Sequence, residues 1–306
     1  MPSSKKIIEI IKNPSKAVVF LSSRGIIQLR DETYLRLLYK LRLGKKLDLD
    51  NPKAFNEKLQ WLKLRDRKRI YTTLVDKYAV KKYIADTLGK EYIIPTIGIY
   101  NGVDEIDFER LPGQFVIKCT HDSGGCVVCK DKKTLNIDEA KATIQKSLNR
   151  NYYLVGREWP YKDVKPRIII EKYIEDKNSG DLKDYKFFVF NGKVKCFKID
   201  FDRFKKHRAN YYDRDAKLLE FGEVVCPPNY KKKLEMPKNL KQMILLAEKL
   251  ANNIPFVRID FYEVNGKIYF GEITFYPSSG FGRFVPEKWD MILGDWLVLE
   301  KDDNSK

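Results

Sequence analysis

The chain has 306 residues, of which 43% are hydrophobic and 13% aromatic. This composition excludes an intrinsically disordered protein and predicts one large or two modest folded domains. The net charge of +17 suits nucleic acid, an anionic membrane surface or an anionic substrate, although a lysine-rich proteome would give the same charge without a function. Because the lysines are dispersed and no nucleic-acid-binding motif is present, we favour anionic substrates.

The first part of the chain is predicted to be helical. Apolar residues recur at helical spacing in four segments: residues 5–12, 34–43, 55–64 and 76–88. Asp31 is the predicted N-cap of the second helix, and Asn51-Pro52 separates the second pattern from the third. Gly89 is expected to end the fourth helix.

From residue 92 the pattern changes to short strands and loops. Extended segments are predicted over residues 93–100, 115–119 and 126–129. Lys118 and the Ser123-Gly124-Gly125 loop could cradle phosphate oxygens, or the unit could be an ordinary hairpin with a polar tip. A helix and then a connecting loop or flap are predicted over residues 137–149 and 151–166. Asn136 or Asp138 would cap that helix.

The following segments are mainly predicted strands. The strands cover residues 167–174, 184–191 and 193–200, and Gly192 forms the turn between the last two. Lys193, Lys195 and Lys198 are interpreted as solvated. Residues 202–235 are predicted to be irregular and basic. An amphipathic helix is expected over residues 240–253, and residues 289–299 are expected to cover the core.

A strong hairpin pattern near the C-terminus contains two acids. Its strands are residues 256–263 and 267–273, and Asn265-Gly266 favours a type I′ turn. This turn would place Asp260 nearly opposite Glu272. Because a buried carboxylate is costly unless it is paired or binds a metal, the two acids could share one cation.

Two neighbouring strands each offer a cation and an acid on one face. Asp184 and Lys186 are two residues apart, as are Arg258 and Asp260. These residues could belong to a site or form cross-strand ion pairs. Glu171, taken alone, is more typical of an exposed strand face.

The five cysteines do not indicate a disulfide framework, because their number is odd. Cys126 and Cys129 form a C-x-x-C pair, but Cys196 and Cys226 are thirty residues apart and supply no second pair for zinc. The pair would point to opposite faces of a strand, so the cysteines are interpreted as small core residues. No apolar run approaches the ~20 residues of a membrane span, and a signal peptide is not evident, which predicts a cytoplasmic protein.

Seven motifs follow one another in a specific order. They are LDLDNPKAFNEKLQWLKLRDR at 47–67, VDKYAVKKYI at 75–84, FVIKCTHDSGG at 115–125, IIIEKYI at 168–174, DYKFFVFNGK at 184–193, FVRIDFY at 256–262 and YFGEITFYPSSG at 269–280. With these motifs the chain resembles the ATP-grasp enzymes, and in particular the TupA-like group, which is linked to teichuronopeptide and cell-surface polysaccharide synthesis. The resemblance covers nearly the whole chain.

The resemblance implies an α+β ATP-grasp fold. Two α+β lobes with mainly antiparallel sheets would grip a nucleotide, preceded by a helical N-terminal region. The implied division is residues 1–90 for the helical region and the start of the nucleotide-binding unit, 91–170 for the small lobe with the phosphate loop, and 171–306 for the large lobe with the metal site.

The resemblance also implies a role for each motif residue. The implied ATP-binding residues are Lys77, Lys118, Ser123, Gly124, Gly125, Glu171, Lys172, Tyr173, Ile174 and Asp184. The implied catalytic residues are Lys186 and Arg258, the Mg²⁺ ligands are Asp260, Glu272 and Thr274, and the substrate contacts are Ser279 and Arg283. Thr274 stands where the family usually has asparagine, and its hydroxyl offers one oxygen with a shorter reach.

The implied activity is an ATP- and Mg²⁺-dependent carboxylate–amine ligase that works through an acylphosphate. An acidic saccharide or another carboxylate and an amine would be its substrates, without a specific nucleic-acid partner. Peripheral association with the inner face of the membrane would suit cell-envelope polysaccharide synthesis. Two alternatives stay open. One is a kinase or a glycosyltransferase, the latter with Asp213-Arg214-Asp215 as a D-x-D motif, and the other is a basic polyanion-binding protein.

Overall fold

In the part of the chain that the structure describes, five short helices precede the first strand, and the later helices lie between and after the strands. The computed structural model describes residues 14–176, 182–202 and 206–300, so the helix expected over residues 5–12 lies outside the described residues. The helices are α1 Pro14–Ser23, α2 Asp31–Leu43, α3 Phe55–Arg65, α4 Ile70–Val75, α5 Ala79–Thr87, α6 Ile137–Leu148, α7 Tyr153–Gly156, α8 Leu240–Leu250 and α9 Trp289–Trp296. None of these helices has the length and apolar character that a membrane span requires.

The strands form three antiparallel sheets. They are β1 Thr96–Tyr100, β2 Phe115–Cys119, β3 Cys126–Cys129, β4 Ile168–Lys172, β5 Asp184–Phe190, β6 Lys193–Phe201, β7 Arg208–Asp213, β8 Leu218–Leu219, β9 Gly222–Glu223, β10 Phe256–Val264, β11 Lys267–Thr274 and β12 Phe284–Val285. The small sheet has the order β1-β4-β2-β3 and the large sheet the order β11-β10-β5-β6-β7-β8, while β12 and β9 form a third pair.

The small sheet buries alternate residues of β2 against α6. Phe115, Ile117 and Cys119 are fully buried, whereas the intervening residues are half-buried. Since successive side chains of a strand point to opposite faces, this alternation leaves Lys118 on the face away from the core. The position of Lys118 in the cleft therefore follows from the register of β2.

The large sheet has an apolar face and a face of mixed character. Phe187 of β5 stacks on Phe197 of β6, with ring centroids 5.5 Å apart. On the other face, Phe188 packs against Tyr211 at 5.6 Å. Asp184 and Lys186 share the face of Phe188 because they precede it by even numbers of residues. That face is thus apolar at one end and charged at the other.

The hairpin of β10 and β11 is confirmed. Asn265 and Gly266 have φ values of 50° and 74°, as a type I′ turn requires. Asp260 and Glu272 are directly opposite in the register. The sequence therefore predicted correctly that these two carboxylates are neighbours.

Two helix starts differ from expectation. The helix expected from residue 76 begins at Ala79, and the Asp76 carboxylate accepts hydrogen bonds from the backbone N–H groups of Tyr78 and Ala79. Asp31 is the first helical residue and not the N-cap. Its carboxylate accepts hydrogen bonds from Tyr153 at 2.6 Å and Arg67 at 2.7 Å, and this tertiary contact replaces the cap.

Three further expectations were wrong. The segment 202–235 is not irregular throughout, because it contains β7, β8 and β9. Cys126 is exposed, unlike the other four cysteines, which are buried. Lys198 is buried, whereas Lys193 and Lys195 are exposed as expected. The lobe boundaries near residues 90 and 170 stay a prediction.

Candidate active site

A cleft of about 420 Å³ lies between the small and the large sheet. Most of its walls are charged. Eleven of the residues predicted from the sequence line it: Lys77, Lys118, Ser123, Gly124, Gly125, Glu171, Asp184, Lys186, Arg258, Asp260 and Glu272. Residues distant in sequence therefore meet here.

The register of three strands builds the wall on the large sheet. Lys186 on β5 is opposite Asp260 on β10, and on its other side it is opposite Lys198 on β6. Asp184 is likewise opposite Asp200. Because residues opposite one another share a face, all five side chains point into the cleft.

Lys186 is the centre of this wall. Its ammonium group contacts Asp184 and lies 3.2 Å from Asp200 and 3.2 Å from Asp260. Burial opposes its charge, but Asp184 and Asp260 raise the pKa of Lys186 above its ordinary value. Lys186 is therefore a fixed positive charge at neutral pH.

Arg258 holds the two opposed acids of the hairpin. Its Nε and Nη2 atoms donate to the two oxygens of Asp260, each at 2.7 Å, and Nη2 also lies 2.7 Å from Glu272. Burial would raise the pKa of Glu272, but Arg258 lowers it below the ordinary value. A cation thus already lies between Asp260 and Glu272. The Thr274 hydroxyl is 3.3 Å from Glu272.

The opposite wall is basic. Glu171 is buried and accepts from Lys81 at 2.5 Å and from Lys118 at 2.9 Å. Burial would raise the pKa of Glu171, but Lys118 and Lys81 lower it. The isolated interpretation of Glu171 as an exposed residue was wrong. Lys81 was missed, although the helix predicted over residues 76–88 would place it on the same face as Lys77; in the structure Lys77 precedes α5.

A glycine loop closes this end of the cleft. Ser123, Gly124 and Gly125 line it, and Gly124 has a φ of 101°, which side-chain-bearing residues rarely adopt. The Lys77 ammonium group donates to the carbonyl of Asp122. Lys77 and the loop are therefore held together at the rim.

A larger, more apolar cavity of about 820 Å³ adjoins the cleft. Its walls include four of the implied ATP-binding residues: Glu171, Lys172, Tyr173 and Ile174. Ile94 and Val116 add apolar surface, and the cavity shares Lys118, Glu171 and Asp200 with the cleft. A ligand with one flat apolar end and one anionic end would fit the two cavities together.

The structure does not bring Ser279 and Arg283 into the cleft. Ser279 is not among the lining residues, and its carbonyl and hydroxyl oxygens are 2.8 Å and 3.2 Å from the Lys63 ammonium group. Arg283 is exposed and donates to the carbonyl of Arg42. The buried Lys63 was missed, and burial lowers its pKa to about 7. Its position in an amphipathic helix gives no local signal for burial.

Lys198 and Glu223 form a second buried pair that the sequence did not reveal. Lys198 lies 3.0 Å from Glu223 and 3.6 Å from Asp200. Glu223 also accepts from the hydroxyl groups of Tyr211 and Ser278. Burial would raise the pKa of Glu223, but Lys198 and these donors lower it to about 2.

Because of Glu223, the free energy of unfolding is expected to fall as the pH is lowered into the acid range. Its folded-state pKa of about 2 lies below the ordinary ~4.3, so its stabilisation is complete above a pH of about 4.5 and is lost as the pH falls toward 2. Glu223→Gln should lower the free energy of unfolding near pH 7. Near pH 3 this loss should be smaller by about 2 kcal/mol. Urea unfolding at both pH values measures this, and an unchanged difference would contradict it.

The two walls differ in charge. On the large-sheet side, four acids face three cations: Asp184, Asp200, Asp260 and Glu272 against Lys186, Lys198 and Arg258. On the other side, Lys77, Lys81 and Lys118 face Glu171 and Asp122. The cleft can therefore hold anionic oxygens on one wall and a divalent cation on the other.

Comparisons with known proteins agree with the motifs. The model of the family described as TupA-like ATPgrasp matches residues 57–298. No curated protein matches the sequence significantly. Solved structures that are similar include D-alanine–D-alanine ligases. The one from Bacillus anthracis complexed with ATP has 15% identity, covers 66% of this chain and 53% of its own, and has a TM-score of 0.38.

Two further structures have similar values. The D-alanine–D-alanine ligase from Helicobacter pylori has 15% identity, covers 80% of this chain and 70% of its own, and has a TM-score of 0.41. A RimK domain ATP-grasp protein from Sphaerobacter thermophilus has 11% identity, 74% and 69% coverage and a TM-score of 0.39. The chain spans about half the length of the first of these structures.

The family model covers most of the chain, from Glu57 in α3 to Val298, the second residue after α9. It confirms the ATP-grasp fold expected from the motifs, with mixed helices and antiparallel sheets behind a helical N-terminal region. The chain belongs to the TupA-like ATP-grasp family.

Proposed function

We propose that this protein is an ATP- and Mg²⁺-dependent carboxylate–amine ligase. The observation that carries the proposal is the separation of charge across one cleft, with a surplus of cations on one wall and of acids on the other. ATP with Mg²⁺ has the matching distribution, because its phosphates are anionic and its metal is a hard cation.

ATP would lie across both cavities. Its phosphates would contact Lys77, Lys81 and Lys118 and the N–H groups of the glycine loop. Its adenine would enter the apolar cavity near Tyr173, and Asp184 would accept a hydrogen bond from the ribose. The cleft and the cavity adjoin at Lys118 and Glu171, which supports one ligand spanning both.

The hairpin acids fit a magnesium ion. Asp260 and Glu272 supply carboxylate oxygens, and the guanidinium group of Arg258 already contacts both. The Thr274 hydroxyl is close enough to add a third oxygen. When bound, Mg²⁺ would neutralise charge on the transferred phosphoryl group and orient it.

The chemistry would proceed in two steps. A substrate carboxylate would attack the γ-phosphorus of ATP, and the bond to the bridging oxygen would break to release ADP. Arg258 and Lys186 would stabilise the charge on the phosphoryl oxygens. An amine would then attack the carbonyl carbon of the acylphosphate, and phosphate would leave with a proton from the nitrogen, giving an amide.

The carboxylate substrate is proposed to be an acidic saccharide of cell-surface polysaccharide synthesis. The net charge of +17 would attract such a polyanion, most strongly at low ionic strength. Cytoplasmic location, with the chain associated peripherally with the inner membrane, is part of this proposal. Family membership and the basic charge support it.

The test is ADP release by the purified protein with Mg-ATP and a panel of uronic acids and amino acids. An acid–amine pair that raises ADP release and yields a product with the mass of an amide supports the proposal. A phosphate ester would indicate a kinase and a glycoside a glycosyltransferase, and either product would refute it. Failure of millimolar Mg-ADP to raise the thermal midpoint would refute the nucleotide site.

Lys118→Met is expected to raise the Kd of Mg-ADP at least about tenfold, because it removes a charge-assisted hydrogen bond to phosphate. Lys133→Met is the matched control, since Lys133 is exposed and outside both cavities. Titration calorimetry measures both. Equal Kd values for Lys118→Met and wild type would contradict the placement of the phosphates.

A further inference from the structure

Three residues of different chemistry lie together beside the cleft. Asp200 ends the charged face of β6, His207 immediately precedes β7, and Cys226 follows β9. One potential ligand atom from each lies within 4.8 Å of the other two. The His207 Nε2 atom is 3.5 Å from Asp200 Oδ1. The roles proposed above for the nucleotide and for Mg²⁺ do not involve these residues.

The three donor atoms are an oxygen, a nitrogen and a sulfur, a set that binds Zn²⁺. Metal–ligand distances of about 2.0–2.3 Å in a tetrahedral site put neighbouring donors roughly 3.3–3.7 Å apart. The Asp200–His207 distance of 3.5 Å already satisfies this requirement. His207 has a side-chain exposure of 41%, so its ring can rotate toward the buried Asp200 and Cys226.

We propose that Asp200, His207 and Cys226 form a binding site for a thiophilic divalent ion such as Zn²⁺. Asp260 and Glu272 offer only oxygen ligands beside Thr274, which suits Mg²⁺, whereas the thiol of Cys226 selects a softer metal. Three protein ligands leave a fourth position open. Asp200 and His207 line both cavities, so the open position faces the junction between them.

Two lysines near Asp200 add positive charge beside this site. Lys186 lies 3.2 Å and Lys198 3.6 Å from Asp200. However, Lys198 is closer to Glu223, and Lys186 also contacts Asp184 and Asp260. The acids of this wall outnumber its cations, and a bound dication would reduce the remaining negative charge.

The bound ion would connect three segments that are separate in sequence. Asp200 belongs to the large sheet, and Cys226 is fixed by a backbone hydrogen bond of 3.0 Å to Glu223. An ion that binds the folded chain and not the unfolded one raises stability by mass action. Zn²⁺ should therefore raise the thermal midpoint of the wild-type chain.

The test uses Co²⁺, whose thiolate complexes have a charge-transfer absorption in the near ultraviolet that oxygen ligands do not produce. We expect this band on titration of the full-length chain and its disappearance when Zn²⁺ is added. Cys226→Ser should abolish the band. His207→Ala should raise the Kd for Co²⁺ at least about tenfold, since it removes a metal ligand. Cys126→Ser is the control and should retain the band, because Cys126 is exposed and outside the three-residue site.

The absence of the band in wild type, or a band that is lost in Cys126→Ser and kept in Cys226→Ser, would overturn the proposal. If Cys226→Ser does not fold, the test depends on His207→Ala, which changes an exposed residue. An unchanged Kd for Co²⁺ in this variant also overturns the proposal. The measurement requires neither ATP nor substrate. Its failure would leave the ligase proposal unaffected, and a failed ligase assay would leave the metal site unaffected.

Discussion

Glu272→Gln is expected to lower ADP formation by about 10³-fold. Glutamine keeps the size of the side chain but removes the negative charge that would bind Mg²⁺ opposite Asp260. The Glu272 side chain is 43% exposed, so its neutralisation should cost little folding free energy. The measurement is the steady-state rate of ADP release with the acid and amine that support turnover, together with the thermal midpoint of the variant.

Two further variants serve as a second test of the metal site and as its control. Asp260→Asn should also abolish turnover, but Asp260 is 1% exposed and contacts both Arg258 and Lys186. Its loss leaves buried cations with fewer partners, so we expect a lower free energy of unfolding as well. Asp215→Asn changes an exposed acid of the β7–β8 turn and should alter neither property.

These variants also separate the ligase from the glycosyltransferase alternative. A glycosyltransferase that used Asp213-Arg214-Asp215 would lose activity in Asp215→Asn and keep it in Glu272→Gln. Asp213 instead accepts hydrogen bonds from the backbone N–H groups of Asp215 and Lys217, as in an ordinary turn. Full turnover by Glu272→Gln would refute the assignment of the metal site.

Local sequence patterns predicted those elements that a few neighbouring residues determine. The type I′ turn at Asn265-Gly266 determined the register of β10 and β11, and this register places Asp260 opposite Glu272. Alternation along β5 likewise predicted the shared face of Asp184 and Lys186. In each case a few neighbouring residues contain the information.

The missed residues depend on partners far away in sequence. Lys198 has the sequence pattern of a solvated strand residue, but in the structure it lies 3.0 Å from Glu223, which belongs to a segment predicted to be irregular. Lys63 is buried because carbonyl groups of Gly156 and Ser279 surround its ammonium group. A local pattern cannot show such contacts, since the second partner comes from another element.

The family motifs predicted the position of Glu171 in the cleft, which the chemistry of this residue alone did not indicate. Glu171 seemed exposed when considered alone, and only its place in the motif IIIEKYI indicated the cleft. The motifs also implied substrate contacts for Ser279 and Arg283; in the structure the carbonyl and hydroxyl oxygens of Ser279 lie beside Lys63, and Arg283 donates to the carbonyl of Arg42. Their contact with substrate stays a proposal.

Lys198→Met is expected to lower the free energy of unfolding by about 3–5 kcal/mol near neutral pH. The substitution removes the ammonium group that most lowers the pKa of Glu223 and leaves the carboxyl group buried without a cation, so Glu223 must either stay charged and unpaired or take up a proton. The hydroxyl groups of Tyr211 and Ser278 remain as hydrogen-bond donors to it but carry no charge. Urea unfolding with a common slope for all variants measures the change.

The double variant Lys198→Met/Glu223→Gln tests whether the loss comes from this pair. Removing both charges eliminates the unpaired buried carboxylate, so the double variant should be more stable than Lys198→Met alone by about 2 kcal/mol or more. Lys195→Met is the matched control on the same strand. Lys195 is exposed, and its replacement should change stability by less than about 0.5 kcal/mol. Additive losses in the double variant would show that Lys198 and Glu223 do not stabilise each other, and that the packing around each residue determines the cost.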